Sequence, residues 1–301
     1  MATTTWTGAS NSDWATAGNW TNGLPATTDT AIIDGSVGIT GGTPSGNAEV
    51  ERVYIASTYT GAIGSSGTPL EIDVAQLSVD NSTSGSTHFI HLTGSNNTTP
   101  NCVIDGTKTG AALYISGDLA SVTVEPTFAG TMYLGNSASK DADIKDLVML
   151  STSGTIDASN AANVSWVTGA TCYQTAGTVT IGEHFGQDST WIMSGGSLNV
   201  TGWTATSGES LKMLGGTCTW TAGSTGTSGT AVNALNTLKV MGGTFTTATN
   251  EKAYVKFGTI DQSGGSINMQ SPFPNITFTT FNSTSGTFTY PKQSVLTTTA
   301  K

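Results

Sequence analysis

The chain has 301 residues, the size of one large domain or two ordinary ones. Thr (56) and Ser (33) make up about 30% of it, Gly adds 38, and charged residues are only 10%. This excludes a charge-rich disordered chain and a helical bundle, which needs long runs of Glu, Lys, Leu and Ala. Twenty acids against ten bases, with Arg52 the one arginine, argue against a nucleic-acid partner, because phosphate neutralisation needs clustered Lys and Arg.

Residues 1–45 are expected to form a Trp-rich cap or attachment segment. The opening Met1-Ala-Thr-Thr-Thr-Trp6 has no basic region and no apolar region, so it does not read as a secretory signal. No run of eighteen apolar residues exists to span a membrane. Trp6, Trp14 and Trp20 are placed to cover the open end of a first coil, each with a ring N–H that can stay wet.

Residues 46–290 are expected to form a solenoid. Short strands begin at Val50, Leu70, Phe89, Val103, Leu113, Val122 and Met132, between loops of Gly, Asn and Ser. The stretch from Lys140 to Leu150 leaves room for one short turn of helix. From there a repeat takes over. A Gly followed by Thr or Ser recurs at Gly154, Gly177, Gly196, Gly216, Gly243, Gly265 and Gly286, at spacings of 23, 19, 20, 27, 22 and 21 residues.

Aligned on that Gly, the columns have a plain physical meaning. Five residues before it stand Met149, Cys172, Trp191, Leu211, Leu238, Ile260 and Phe281; two after it stand Ile156, Val179, Leu198, Cys218, Phe245, Ile267 and Phe288. All are apolar and predicted to face inward. The positions one and three after the Gly are polar, as in Thr178/Thr180, Thr217/Thr219 and Thr244/Thr246, and are predicted to face water. Strand, Gly corner, strand and variable loop every ~21 residues predict an all-β fold, a parallel β-helix in which like positions stack at ~4.8 Å. Pro291 stops pairing, and 291–301 is expected to be an extended arm.

The opening order of Trp6, Trp14, Asn19-Trp20, Gly23-Leu24-Pro25, Asp29-Thr30 and Ile32-Ile33, followed by Gly-Gly-Thr/Ser coils, resembles autotransporter-passenger-like surface β-helix proteins. The resemblance implies a β-helix. Those proteins are exported; a chain of this kind without an export signal looks most like a surface protein of a tailed-phage virion, assembled in the host cytoplasm.

No catalytic residue is expected, because the acids of the repeated coils (Asp157, Glu183, Asp188, Glu209, Glu251 and Asp261) share no column. No metal or cofactor site is expected either. Around Asp141, Asp143 and Asp146, Ile144-Lys145 break a calcium loop, and a solvated turn is the better reading. His88 and His91 lie on opposite faces of a strand and read as ordinary hydrogen-bonding histidines, and the three distant cysteines as buried thiols. Trp191 and Trp220 fall in inward columns and read as core.

Trp166 and Trp203 fall in connecting loops, so they join Trp6, Trp14, Trp20 and Tyr290 as candidate partner-binding residues. The function expected is non-enzymatic: a capsid decoration or cement protein bound to the head exterior, with the major capsid protein and copies of itself, in a homotrimer for instance, as partners. The alternative is a tail spike, fibre or adhesin that binds host glycans. A polysaccharide-degrading enzyme and an ice-binding protein rank lower; the outward Thr ladder that favours ice is interrupted at Asp157, Asn199 and Asn268.

Overall fold

A computed structural model describes the chain apart from 45–48, 81–85, 94–98, 136–140, 160–163, 183–186, 202–207, 222–231, 234, 249–253, 271–274, 291–296 and 299–301. The described residues hold 22 strands, one 3-10 turn at Ala17–Asn19 and no α-helix. The strands stack in parallel as a β-solenoid of about nine turns. The chain divides into two compact units, Met1–Val164 and Ser165–Lys301.

In the first unit one ladder runs from the Thr3–Trp6 strand to the Ala142–Met149 strand. Trp6, Ile33, Ile55, Val79, Ile104, Val124 and Met149 occupy successive rungs. All seven are buried. Alternation with period two puts their neighbours outside, as in the Leu70–Asp80 strand, where apolar Leu70, Ile72 and Val74 alternate with Glu71 and Asp73. A second inward column runs Ile39, Ile63, His88, Leu113, Met132 and Ile156. His88 is thus a fully buried member of an apolar column, its ring 5.6 Å from that of Tyr59. His91 faces outward, its Nδ1 3.0 Å from the Ser116 hydroxyl.

In the second unit the predicted columns are the structural register. Cys172, Trp191, Leu211, Leu238, Ile260 and Phe281 lie rung on rung. So do Val179, Leu198, Cys218, Phe245, Ile267 and Phe288. Trp191 and Trp220 are core, 1% and 3% exposed. At the corners backbone stacks directly on backbone: a Cβ at Gly216 (φ +78°) would lie 2.7 Å from the Gly195 carbonyl carbon. Two buried glutamines serve the same corners. Gln174 Nε2 donates to the Ser197 carbonyl and Gln262 Nε2 to the Thr287 carbonyl, both at 2.9 Å.

Two expectations are corrected. The stretch after Lys140 is a strand, Ala142–Met149, with Ala142, Ile144, Leu147 and Met149 buried. Its apolar spacing fits a helix face as well as a strand, and pairing with the preceding coil decides for the strand. Trp166 is not in a loop: it lies on the Val164–Gln174 strand.

Candidate binding surfaces

The N-terminal end is closed by its own residues. Trp6, Trp14 and Trp20 are 2%, 2% and 4% exposed. Trp20 takes the other two edge-on, with ring centroids 5.2 Å from Trp6 and 4.6 Å from Trp14. The sequence suggested that these ring N–H groups stay wet; those of Trp6 and Trp20 instead donate to the carbonyls of Val37 (3.0 Å) and Trp14 (2.8 Å). Indoles buried on both sides leave no room for water at those nitrogens, so backbone oxygens replace it.

The polar residues of the same signature hold this lid. Asn19 Oδ1 accepts from the backbone N–H groups of Ser10 and Asn11, while its Nδ2 donates to Asn11 Oδ1 and the Asp13 carbonyl. Asp29 accepts from the N–H groups of Ala2 and Ala26, which holds its carboxyl below the usual range. Of the opening motif, Trp6, Trp14, Asn19, Trp20 and Asp29 thus have structural tasks here. What this end presents to solvent is Met1, Leu24 and Val37 among polar loops.

The remaining candidates part company. Trp166 is 7% exposed and packs edge-on against Trp191 at 5.7 Å, so its ring belongs to the core. Trp203 lies outside the described residues. Tyr290 is 49% exposed. It ends a row of rings: Phe278 to Phe281 at 5.3 Å, Phe281 to Phe288 at 4.8 Å, Phe288 to Tyr290 at 6.0 Å.

A second aromatic feature was not singled out in the sequence. Phe89, Tyr114 and Tyr133 sit on outward rungs of three successive coils and stack at 4.4 and 4.6 Å, with interplanar angles of 13° and 11°. Asp157 occupies the next rung. Desolvation, then the charges of Tyr133 and Asp157, push the Tyr114 hydroxyl above its ordinary pKa. The signal was present as an aromatic one place after an inward residue in each coil, but spacings of 25 and 19 residues hid the column.

A hollow of about 240 Å³ lies beside Asp13, Trp14, Thr40, Gly41, Gly42, Thr43 and Pro44. It is smaller than the ~300–1,000 Å³ of ordinary small-molecule sites. Its one carboxylate, Asp13, accepts from the Ala15 N–H at 3.0 Å in a local turn. Among the described residues no three His, Cys, Asp or Glu side chains are grouped to hold a metal ion. Cys102, Cys172 and Cys218 are buried and form no disulfide.

Comparison of the chain with protein-family models, with curated proteins and with solved structures finds no match.

Proposed function

We propose that this chain is a non-enzymatic structural protein of a phage virion, a decoration or cement protein on the head exterior. The supporting observation is the contrast between its two ends. The N-terminal end is sealed by its own tryptophans, whereas the C-terminal coil leaves Phe281 and Phe288 half-buried and Tyr290 exposed. In the second unit the outward rungs of Thr178–Ile181, Ser197–Val200, Thr217–Thr221 and Thr244–Ala248 are Thr, Ser and Asn, uncharged and regular. Such a molecule acts through its end segments, 1–30 and 288–301. Burying surface across neighbouring capsid subunits would add interface free energy and resist internal pressure.

Quantifying the chain against the major capsid protein in gradient-purified particles tests this. Comparable amounts are expected; a small number of copies per particle would move it to a tail spike or fibre, and absence would sink the virion reading.

The Phe89–Tyr114–Tyr133 stack supports a second reading, a wall that holds host glycans by aromatic contact. Retention on a carbohydrate array that is lost in Tyr114→Ala would favour it.

A further inference from the structure

In the second unit the exposed position two residues before each corner Gly is a hydroxyl, Thr175, Ser194, Ser263 or Thr284, in every coil but two. In those two, which are adjacent in the stack, it is Leu214 and Met241, 44% and 43% exposed. The same two coils carry another departure two residues earlier, where Lys212 and Lys239 lie rung on rung. The outward column that holds them runs Tyr173, Ile192, Lys212, Lys239 and Asp261, and Tyr173 is 47% exposed.

Neither departure serves the fold. A hydroxyl suffices at the first position in the other coils, whereas Leu and Met leave apolar surface in water. Like charges on neighbouring strands repel. Among the described residues neither ammonium has an ion-pair or hydrogen-bond partner. Asp261, one rung beyond Lys239, accepts instead from Asn282 Nδ2 at 2.7 Å. The chain has ten basic residues and a net charge of −10, so composition alone does not bring two lysines together on one face.

We infer that this face of the second unit is a binding site for an acidic glycan, a sugar chain carrying carboxylates or sulfates. Charge selects an anion, because the lysine pair is a local cationic spot on a chain whose overall field repels anions. The surroundings select a sugar over an acidic peptide. Peptides are held at open strand edges or in grooves. Here the strands that carry the lysines are paired on both sides, and a ligand meets only side chains. On one flank of the lysine column stand the hydroxyls of Thr190, Ser210 and Thr237, and on the other Leu214 and Met241. The exposed ring of Tyr173 lies in line with the lysines. Hydroxyls, a ring face and apolar carbon match a sugar, which has hydroxyls around its rim and C–H groups on its faces. From Tyr173 to Lys239 is three rungs, about 14 Å, which calls for an oligosaccharide. The inference rests on the second reading, a wall that holds glycans, and gives that reading an acidic ligand and a site of its own.

Isothermal titration of the full chain with oligogalacturonate, dextran sulfate, neutral dextran and poly-glutamate tests this at low and high salt. At least one of the two acidic sugars is expected to bind, less tightly as salt rises, and the comparison between them tells carboxylate from sulfate. Neutral dextran and poly-glutamate should not bind. Replacing both lysines, Lys212→Gln with Lys239→Gln, should weaken binding by about tenfold or more. Tyr173→Ala, and Leu214→Ser with Met241→Ser, should weaken it by smaller factors; the serines restore the hydroxyl of the neighbouring coils. All these side chains face outward, and unchanged thermal midpoints separate lost binding from lost fold. No binding of either acidic sugar, binding that survives loss of both lysines, or equal binding of poly-glutamate would overturn the inference. Retention on a carbohydrate array that is lost in Tyr114→Ala but not in the lysine variant would remove this site and leave the glycan reading standing; retention of no glycan would remove both.

Discussion

Asn19 closes on Asn11 in both directions: its Oδ1 accepts from the Asn11 backbone N–H at 3.0 Å, and its Nδ2 donates to Asn11 Oδ1 at 2.7 Å. Bonds to Ser10 and Asp13 complete the amide's capacity at a site with 0% exposure. The loop 10–13 is thus tied to the residue that precedes Trp20, and the tryptophan lid depends on that tie.

Asn19→Ala should therefore cost about 3 kcal/mol, since it leaves several buried donors and acceptors unmatched. Urea unfolding of the variant checks this, with tryptophan fluorescence following the lid. A loss below about 1 kcal/mol would show that the lid holds without its amide.

Gly216 tests the corner. With φ +78° and the Gly195 carbonyl carbon 2.7 Å from where a Cβ would stand, Gly216→Val must displace backbone on the neighbouring rung. A loss of more than about 3 kcal/mol, or failure to fold, is expected. An outward substitution on the strand that follows, Thr219→Val, should change thermal stability little, because its side chain packs on no core.

The buried thiols set an alkaline limit. Burial pushes Cys102 from 9.0 up to about 12 and Cys218 higher still. The neutral thiol is the folded form, so this stabilisation is complete below pH 9.0 and is lost as pH rises through the folded-state values. Above the unfolded value, stability should fall by about 1.4 kcal/mol per pH unit for each thiol. Urea midpoints taken on both sides of that value should show a shallower decline in Cys102→Val than in wild type; identical slopes would refute the assignment.

Tyr114 lies between two rings, and Tyr114→Ala should cost about 1–2 kcal/mol from the two lost stacking contacts. Tyr114→Phe should recover nearly all of it, since the contacts are between ring faces. Thermal melts of the pair separate ring stacking from hydroxyl chemistry.

Much of this molecule was legible in its residues. Unit 2 registers as its glycines are spaced because each Gly corner restarts the alternation, and a one-residue slip would turn Val179 or Leu198 into water. That is why Cys172, Trp191, Leu211, Leu238, Ile260 and Phe281 align on the glycines alone. The inward apolar and outward Thr positions follow from the same constraint. So does the all-β class, which a chain of Thr, Val and Gly with few helix formers dictates locally.

Tertiary structure decided what local pattern leaves open. The run after Lys140 suits two periodicities, and only the neighbouring coil makes it a strand. Trp166 has no column of its own, and it is buried because Trp191 is there to receive it. The lid tryptophans give up water for backbone oxygens brought near by the chain's return past Val37. Ile260 and Phe281 belong to one column with one pattern, yet the first is sealed and the second half-exposed. Burial depends on what lies on the next rung, and a residue's own sequence neighbours do not contain that information.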